Sequence, residues 1–449
     1  LGDDRTLSNW GPATTVVPIP KMKDGHIVAN FRDPSRAVQL ADGHWYIAVG
    51  SDTGDSAQRN TSNPAGFAQD GTAALRLFRA SDDSLMNWTS VGVPWVQQRT
   101  QGWVNYTLAE WNATGVEPPP FLECPDLYRV GETVVLISSY NDFGQAASQG
   151  PPFSPPAGFA DGQSAEWRTG ALVPDSSQGA RKLDLKFVSK HEGVLDYGLL
   201  YAQKTAGDAL KPNEGRRVLF GFTGWHERQN GMMNSECGIS HVMPRDLRLD
   251  SDGRMLISPV REVGNLRLGP AMSLPVGGAA VTTSSQVLVN MVCTGVPPPL
   301  KTPSSSAHSR GANAVGVDVL LDVAAGEWTR VGYDLQSGGL FVDQSHTNSL
   351  RADLSDAYQT SASLSSVAGA TVDMLNLTVL VDGGMLESFV NDRVVITSLL
   401  SPSPNRSSDS SARQARAFVF STVGIDALEC HATATKLQSL PPQYLMKAE

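Results

Sequence analysis

Throughout its 449 residues the chain breaks brief apolar runs with turn-forming residues, and that rhythm limits what it can fold into. HWYIAVGS, TVVLISSY, RRVLFGFTGW, SQVLVNMVC, VGVDVLL, LNLTVLVDG and ARAFVFST are rich in β-branched and aromatic side chains, which suit a pleated, half-buried surface. Gly, Pro, Asn and Asp bound them, as they bound strands. Apolar residues at the spacing of an amphipathic helix are scarce. Many short strands predict an all-β protein built as a propeller, a sandwich or a barrel. No internal repeat stands out, so self-similarity does not select the propeller. A chain of this length exceeds one ordinary core, and two domains are expected.

Three long segments read as loops between the strands: residues 52–75, 96–122 and 144–180. The last carries GPPFSPPAG, and proline cannot donate to a sheet ladder. Residues 401–416, SPSPNRSSDSSARQAR, read as a surface loop of low complexity. PVREVGNLRLGPAMSLP, residues 259–275, is punctuated by Gly and Pro and is the candidate junction between two domains, 1–265 and 266–449.

Composition removes several function classes. The net charge is −10 and no basic cluster forms a phosphate footprint, so a nucleic-acid partner is not expected. No apolar run approaches the ~18 residues of a membrane span. The four cysteines at 124, 237, 293 and 430 lie too far apart for a CxxC metal or redox site; one or two disulfides are open, with pairing unreadable. The eight histidines are scattered, and HExxH, GxSxG, Walker and GxGxxG motifs are absent, so no metal and no cofactor is expected. Six N-x-S/T sequons occur, four of them between residues 60 and 112, which points to a secretory-pathway glycoprotein in an extracellular, cell-wall or vacuolar setting. Leu1 opens the chain without a charged and apolar leader, which reads as a processed or truncated N-terminus.

What remains is carboxylates in unusual settings. Asp33 follows Arg32 and precedes HWYIAVGS; Glu123 sits in PPPFLECPDLYRV; Asp196 sits in LDYGLLYAQKT. Each reads as an acid at the start of an apolar strand, where the innermost strands of a propeller would turn it toward a central channel. Two facing carboxylates, one protonated and one ionised, supply the chemistry of glycosidic cleavage. An isolated acid at a strand start is more often a turn residue, and an isolated Arg-Asp pair more often a structural link.

These blocks together resemble glycoside hydrolase family 32, the β-fructofuranosidases, fructan hydrolases and related fructosyltransferases. Phe31-Arg32-Asp33-Pro34 is similar to the family's RDP motif and Glu123-Cys124-Pro125-Asp126 to its EC motif. Asp196-Tyr197-Gly198, with Tyr201 to Thr205, resembles its DYG block, and Arg216 to Phe222 resembles RRVLWGW. Met243 to Leu247, Pro259 to Arg267, and, further on, Phe341-Val342-Asp343 and Val381 to Phe389 follow in the family's order. The resemblance implies a five-bladed β-propeller, here incomplete, followed by a C-terminal β-sandwich. It implies retaining cleavage of terminal β-D-fructofuranosyl bonds in sucrose or fructans, without a cofactor. Glu123 would be the acid/base and Asp33 the transition-state stabiliser, helped by Arg32, with Cys124 and Asp196 as further candidate substrate contacts. A general acid must keep its proton near neutral pH, so Glu123 should lie in a partly desolvated pocket.

Four departures matter. The family's nucleophile aspartate, in a WxNDPNG-type motif, has no counterpart, since Asp33-Pro34 is the chain's one Asp-Pro pair. That predicts either a fragment, completed by a missing N-terminal segment of the same precursor, or a non-catalytic carbohydrate-binding homologue. Asp33 and Glu123 stand 90 residues apart, with the surplus in the sequon-rich segment. Leu199 follows DYG where plant sucrose-cleaving members often carry lysine. Phe220 and Phe222 replace two tryptophans and are expected in the core.

Overall fold

The computed structural model describes residues 14–19, 31–52, 73–96, 121–141, 163–177, 183–207, 216–223, 240–299, 313–350, 358–368, 372–400, 402–403, 413–420 and 428–438. Nearly all of them are in or between antiparallel strands, and the one α-helix among them is five residues long, Leu364–Ala368.

Three sheets, each built from sequence-consecutive strands, form the propeller part. The first holds β1 (Val38–Gln39), β2 (Trp45–Asp52), β3 (Ala73–Ala80) and β4 (Trp88–Ser90), with β5 (Trp95–Val96) also on β3. The second runs β6 (Phe121–Val130), β7 (Thr133–Asn141), β8 (Gln163–Pro174), β9 (Leu185–Asp196). The third runs β10 (Leu200–Gly207), β11 (Arg217–Thr223), β12 (Arg245–Leu249), β13 (Met255–Pro259). Each sheet buries one face against the next. Leu75, Leu77, Leu122, Leu136 and Phe187 fill the space between the first two, and Val135, Ile137, Trp167, Leu219 and Leu247 fill that between the second and third. Period-2 alternation along each strand supplies both faces, since successive side chains point to opposite sides.

A 3-10 turn, Arg261–Leu266, then leads into a sandwich. Its strands are β14 (Met272–Leu274), β15 (Val281–Thr283), β16 (Gln286–Thr294), β17 (Ala314–Asp322), β18 (Glu327–Asp334), β19 (Gly339–Asp343), β20 (Tyr358–Ser363), β21 (Met374–Asp382), β22 (Met385–Val390), β23 (Val394–Leu399), β24 (Arg413–Phe420) and β25 (Glu429–Lys436). They form two six-stranded sheets, β14-β25-β16-β21-β22-β23 and β15-β24-β17-β18-β19-β20. Inward-facing Val287, Val289 and Met291 of one meet Val315, Val317 and Val319 of the other in the largest apolar core. Cys293 and Cys430 face each other across β16 and β25 and form a disulfide.

The two parts are joined by main-chain pairing as well as by side chains. Tyr197 N–H donates to Val395 O at 2.8 Å and Leu199 N–H to Thr397 O at 3.1 Å, so the DYG segment caps the sandwich edge strand β23. An unpaired edge is thereby covered. Gly198 is required in that seam, because a Cβ there would stand 2.0 Å from Thr397 O.

Three expectations are corrected. β8 occupies residues read from sequence as loop, because QSAEWRTGALVP alternates apolar Ala165 and Trp167 with charged Glu166 and Arg168. That face is itself buried: Arg168 hydrogen-bonds Glu166, and the Arg168 guanidinium lies 4.4 Å from the Trp95 ring centre. Arg413 to Arg416, at the end of the segment read as a surface loop, begin β24. The other long loops fall largely outside the described residues. Phe220 is 49% exposed rather than in the core, whereas Phe222 packs edge-on against the Tyr201 ring at 6.1 Å.

Candidate active site

The site forms where the first strands of the three propeller sheets begin. Arg32 exchanges backbone hydrogen bonds with Gly50, both at 3.0 Å, and this places Asp33 just ahead of β1. Gly50 also lets β6 come close: a Cβ on it would lie 2.3 Å from Leu122 O, one residue before Glu123. The two carboxylate-bearing segments, 90 residues apart in sequence, are thus neighbours.

Arg32 Nη1 donates to Glu123 Oε1 at 3.1 Å, while the Cys124 N–H donates to Asp33 Oδ2, also at 3.1 Å. The contacts cross over, so each segment holds the other's acid. The Tyr201 hydroxyl, from β10, donates to Glu123 Oε2. Glu123 is 7% exposed, a partly desolvated setting, whereas the Arg32 side chain keeps about a third of its surface in solvent. The Cys124 thiol is pushed up to about 12, first by burial and then by the Asp33 carboxylate, so it is a neutral packing group beside the acids.

Backbone strain collects here. Asp33 (φ 55°), Cys124 (φ 48°) and Ala202 (φ 49°) all adopt left-handed conformations. Asp tolerates this region, but Ala and Cys pay a steric penalty in it, and such residues cluster at functional sites. Two of the three sit in bulges: the β6/β7 register shifts between Glu123 and Asp126, and the β10/β11 register between Tyr201 and Lys204. An inserted residue re-aims side chains that plain alternation would send to opposite faces. Tyr201 and Lys204 can then both address β6 although they are three residues apart. Lys204 Nζ donates to Pro125 O at 2.6 Å and to Pro34 O at 3.3 Å. Asp126, buried behind Glu123, accepts the Thr205 N–H at 2.7 Å and the Thr205 hydroxyl, and burial raises its pKa despite them.

The structure brings together four of the five residues singled out from sequence: Arg32, Asp33, Glu123 and Cys124. It places Asp196 elsewhere. Asp196 ends β9 rather than starting a strand, and its side chain has no accessible surface. It accepts the Gly198 N–H (2.7 Å), the Thr397 N–H (3.0 Å) and the Thr397 hydroxyl (2.6 Å), and pairs with Arg245 at 2.7 Å. A fully covered carboxylate with those partners locks the propeller to the sandwich; it does not meet a sugar. Glu387 belongs to the same lock: it pairs with Arg245 at 2.8 Å and accepts the Met243 N–H. Tyr201 and Lys204 were missed as site residues. Their signal was present in the YAQKT block, but the bulge that aims them is not written in the spacing. No group of three or more metal-ligating side chains occurs among the described residues.

An all-β chain of propeller sheets and a sandwich thus places an arginine, an aspartate and a desolvated glutamate together where the inner strands begin. Comparison with known proteins shows what this arrangement is similar to. Residues 266–432 match the family model described as glycosyl hydrolases family 32 C terminal. A fructan 1-exohydrolase of Hordeum vulgare is 25% identical over 273 residues, 59% of this chain and 37% of that protein. A β-fructofuranosidase, insoluble isoenzyme 4, of Oryza sativa subsp. japonica is 26% identical over 245 residues, 53% of this chain and 33% of its own length. The matches thus span about a third of the curated relatives' length. Among solved structures, fructan 1-exohydrolase IIa from Cichorium intybus in complex with 1-kestose superposes with a TM-score of 0.60 at 17% identity, covering 96% of this chain and 75% of that one. A fructosyltransferase from A. japonicus gives 0.62 at 17% identity, with 93% and 73% covered. These likenesses establish the shared propeller-and-sandwich fold.

Proposed function

We propose that the protein acts on terminal β-D-fructofuranosyl bonds of sucrose or fructans, with Glu123 as general acid/base and Asp33 as transition-state stabiliser. The observation that carries this reading is the crossed pair of contacts, Arg32 to Glu123 and Cys124 N–H to Asp33, at the starts of neighbouring inner strands. Glu123 is desolvated enough to exchange a proton with a leaving oxygen. Asp33 Oδ1 makes no hydrogen bond among the described residues and is the atom available to a sugar hydroxyl, while Oδ2 is fixed by the Cys124 amide. Hydrogen bonds donated by sugar hydroxyls to a fixed carboxylate, which strengthen as positive charge grows on the ring, stabilise the transition state selectively. Fructose release from sucrose and from a fructan, and its loss in Glu123→Gln, is the test.

A second reading has an observation of its own. The described site holds the carboxylates Asp33 and Glu123, with Asp126 held behind them by Thr205, and neither of the first two is cast as a nucleophile. A double displacement needs one. A non-catalytic carbohydrate-binding homologue would bind fructosides without releasing fructose, whereas a protein whose natural transcript encodes an Asp-Pro-bearing strand ahead of Leu1 would hydrolyse them. A fructosyltransferase would share these residues and yield longer oligosaccharides at high sucrose. Passage through an oxidising secretory compartment accords with the Cys293–Cys430 disulfide and with the exposed sequon residues Asn87 and Asn376.

A further inference from the structure

We infer that Lys204 is a positioning residue, an ammonium clamp that holds the two carboxylate-bearing turns at their working separation; the inference rests on the reading of Asp33 and Glu123 as the reacting pair. Its Nζ lies 2.6 Å from Pro125 O and 3.3 Å from Pro34 O. Those prolines immediately follow the site's two strained turns, Asp33-Pro34 and Glu123-Cys124-Pro125. One cation therefore ties both turns through their main chains, on the blade that also sends Tyr201 to Glu123.

Three features separate this from an incidental surface lysine. Among the described residues Lys204 has no carboxylate within ion-pair reach, so the carbonyls are its partners rather than a substitute for one. Its alkyl chain is carried to them by the bulge at Ala202, a left-handed alanine that costs free energy and persists because its surroundings demand it. Its charge acts on the site, since it pulls the Cys124 thiol and the Asp126 carboxyl downward against burial. An ammonium fits this role because a compact charge with three rotatable donors can serve two separate carbonyls, which a planar guanidinium does less well. Both turns are otherwise joined by the Cys124 N–H to Asp33 hydrogen bond and by the Arg32 to Glu123 contact, and each of these depends on the spacing that the clamp sets.

Amide hydrogen exchange on the 449-residue chain tests the clamp directly, with Lys204→Met and Lys204→Arg compared to the parent. In Lys204→Met the Cys124 amide should exchange about tenfold faster or more, because a charge-assisted tie to its turn is gone. Lys204→Arg should recover only part of that protection, since the charge is kept but the planar guanidinium serves the two carbonyls less well. Amides in the sandwich strands β17 and β21 should be unchanged, which shows that the fold is intact. Where the parent releases fructose, Lys204→Met should lower kcat about 10- to 100-fold and move KM less than about threefold, the mark of lost transition-state geometry rather than lost binding. Unchanged Cys124 exchange overturns the clamp. Faster exchange throughout the chain, or an unchanged kcat in an active parent, overturns the positioning role. Selective exchange at Cys124 in a parent that releases no fructose leaves the clamp standing and refutes the hydrolase reading alone.

Discussion

Replacing Arg245 by methionine should damage the joint between propeller and sandwich more than any other single side-chain change there. Its side chain is completely buried and pairs with two carboxylates that are also completely buried, Asp196 at 2.7 Å and Glu387 at 2.8 Å. It further donates to the Thr397 hydroxyl at 2.7 Å. The three charges come from β9, β12 and β22, so the network spans both parts of the molecule. Burial raises the pKa of Glu387, and Arg245 is the chief influence opposing that rise. Removing a partner from a buried ion pair costs about 3–5 kcal/mol, because uncompensated charge is left behind. Unfolding entropy near 2 cal/mol/K per residue over 449 residues converts this to a fall in Tm of about 3–5 °C if the chain melts as one unit. The assay is urea unfolding and thermal melting of Arg245→Met, Glu387→Gln and the double variant. The double variant should lose less than the sum of the singles by about 1–3 kcal/mol, since neutralising Glu387 removes one of the stranded charges. A single-variant cost below about 1 kcal/mol, or strict additivity, would refute the argument that this triad bolts the two parts together.

Three further outcomes follow from the structure. Burial pushes Glu166 up to about 8 from 4.5, with Arg168 and Glu192 the charges beside it; a carboxyl raised in the folded state contributes stability that is full below pH 4.5 and lost as pH climbs through about 8, so Glu166→Gln should flatten a decline of up to roughly 1.4 kcal/mol per pH unit in urea unfolding, and an identical slope in the variant would sink the idea. Cys124, raised to about 12, should be alkylated by iodoacetamide at pH 8 about 100-fold more slowly than an ordinary thiol, as followed by peptide mass mapping, and a rate equal to that of free cysteine would contradict its burial beside Asp33. Gly50→Ala should cost about 2–3 kcal/mol and loosen the site, because the new methyl would sit 2.3 Å from Leu122 O; a neutral effect on melting would mean the two blades are not in that contact.

The strand-rich architecture could be read from residue runs because alternation and turn residues are local. RDP and EC pointed to the acids because those motifs are also local, and the crossed contacts between them put Arg32, Asp33, Glu123 and Cys124 in one place. Three kinds of information were not local. Buried polar side chains hid β8, since Glu166 and Arg168 look like solvent-facing residues until they are seen to hydrogen-bond each other inside the sheet. Bulges changed the parity of β6 and β10, so the spacing of Tyr201 and Lys204 gave no hint that both reach the β6 segment. The Asp196–Arg245–Glu387 lock joins residues up to about 190 positions apart, and a motif-based reading of DYG therefore assigned Asp196 to substrate rather than to the domain joint. Disulfide pairing was equally invisible: Cys293 and Cys430 are neighbours through the register of β16 and β25 alone.

In the proposed reaction Glu123, held by Arg32 and Tyr201, transfers the proton in fructosyl cleavage. Fructose release from sucrose and from an inulin-type fructan, measured for the protein expressed from its natural transcript and for its Glu123→Gln variant, tests this most directly. Release by the parent is expected, with a fall in kcat of about a thousandfold or more in the variant and a stability in urea unchanged to within about 0.5 kcal/mol. Wild-type turnover in a folded Glu123→Gln protein would contradict that role.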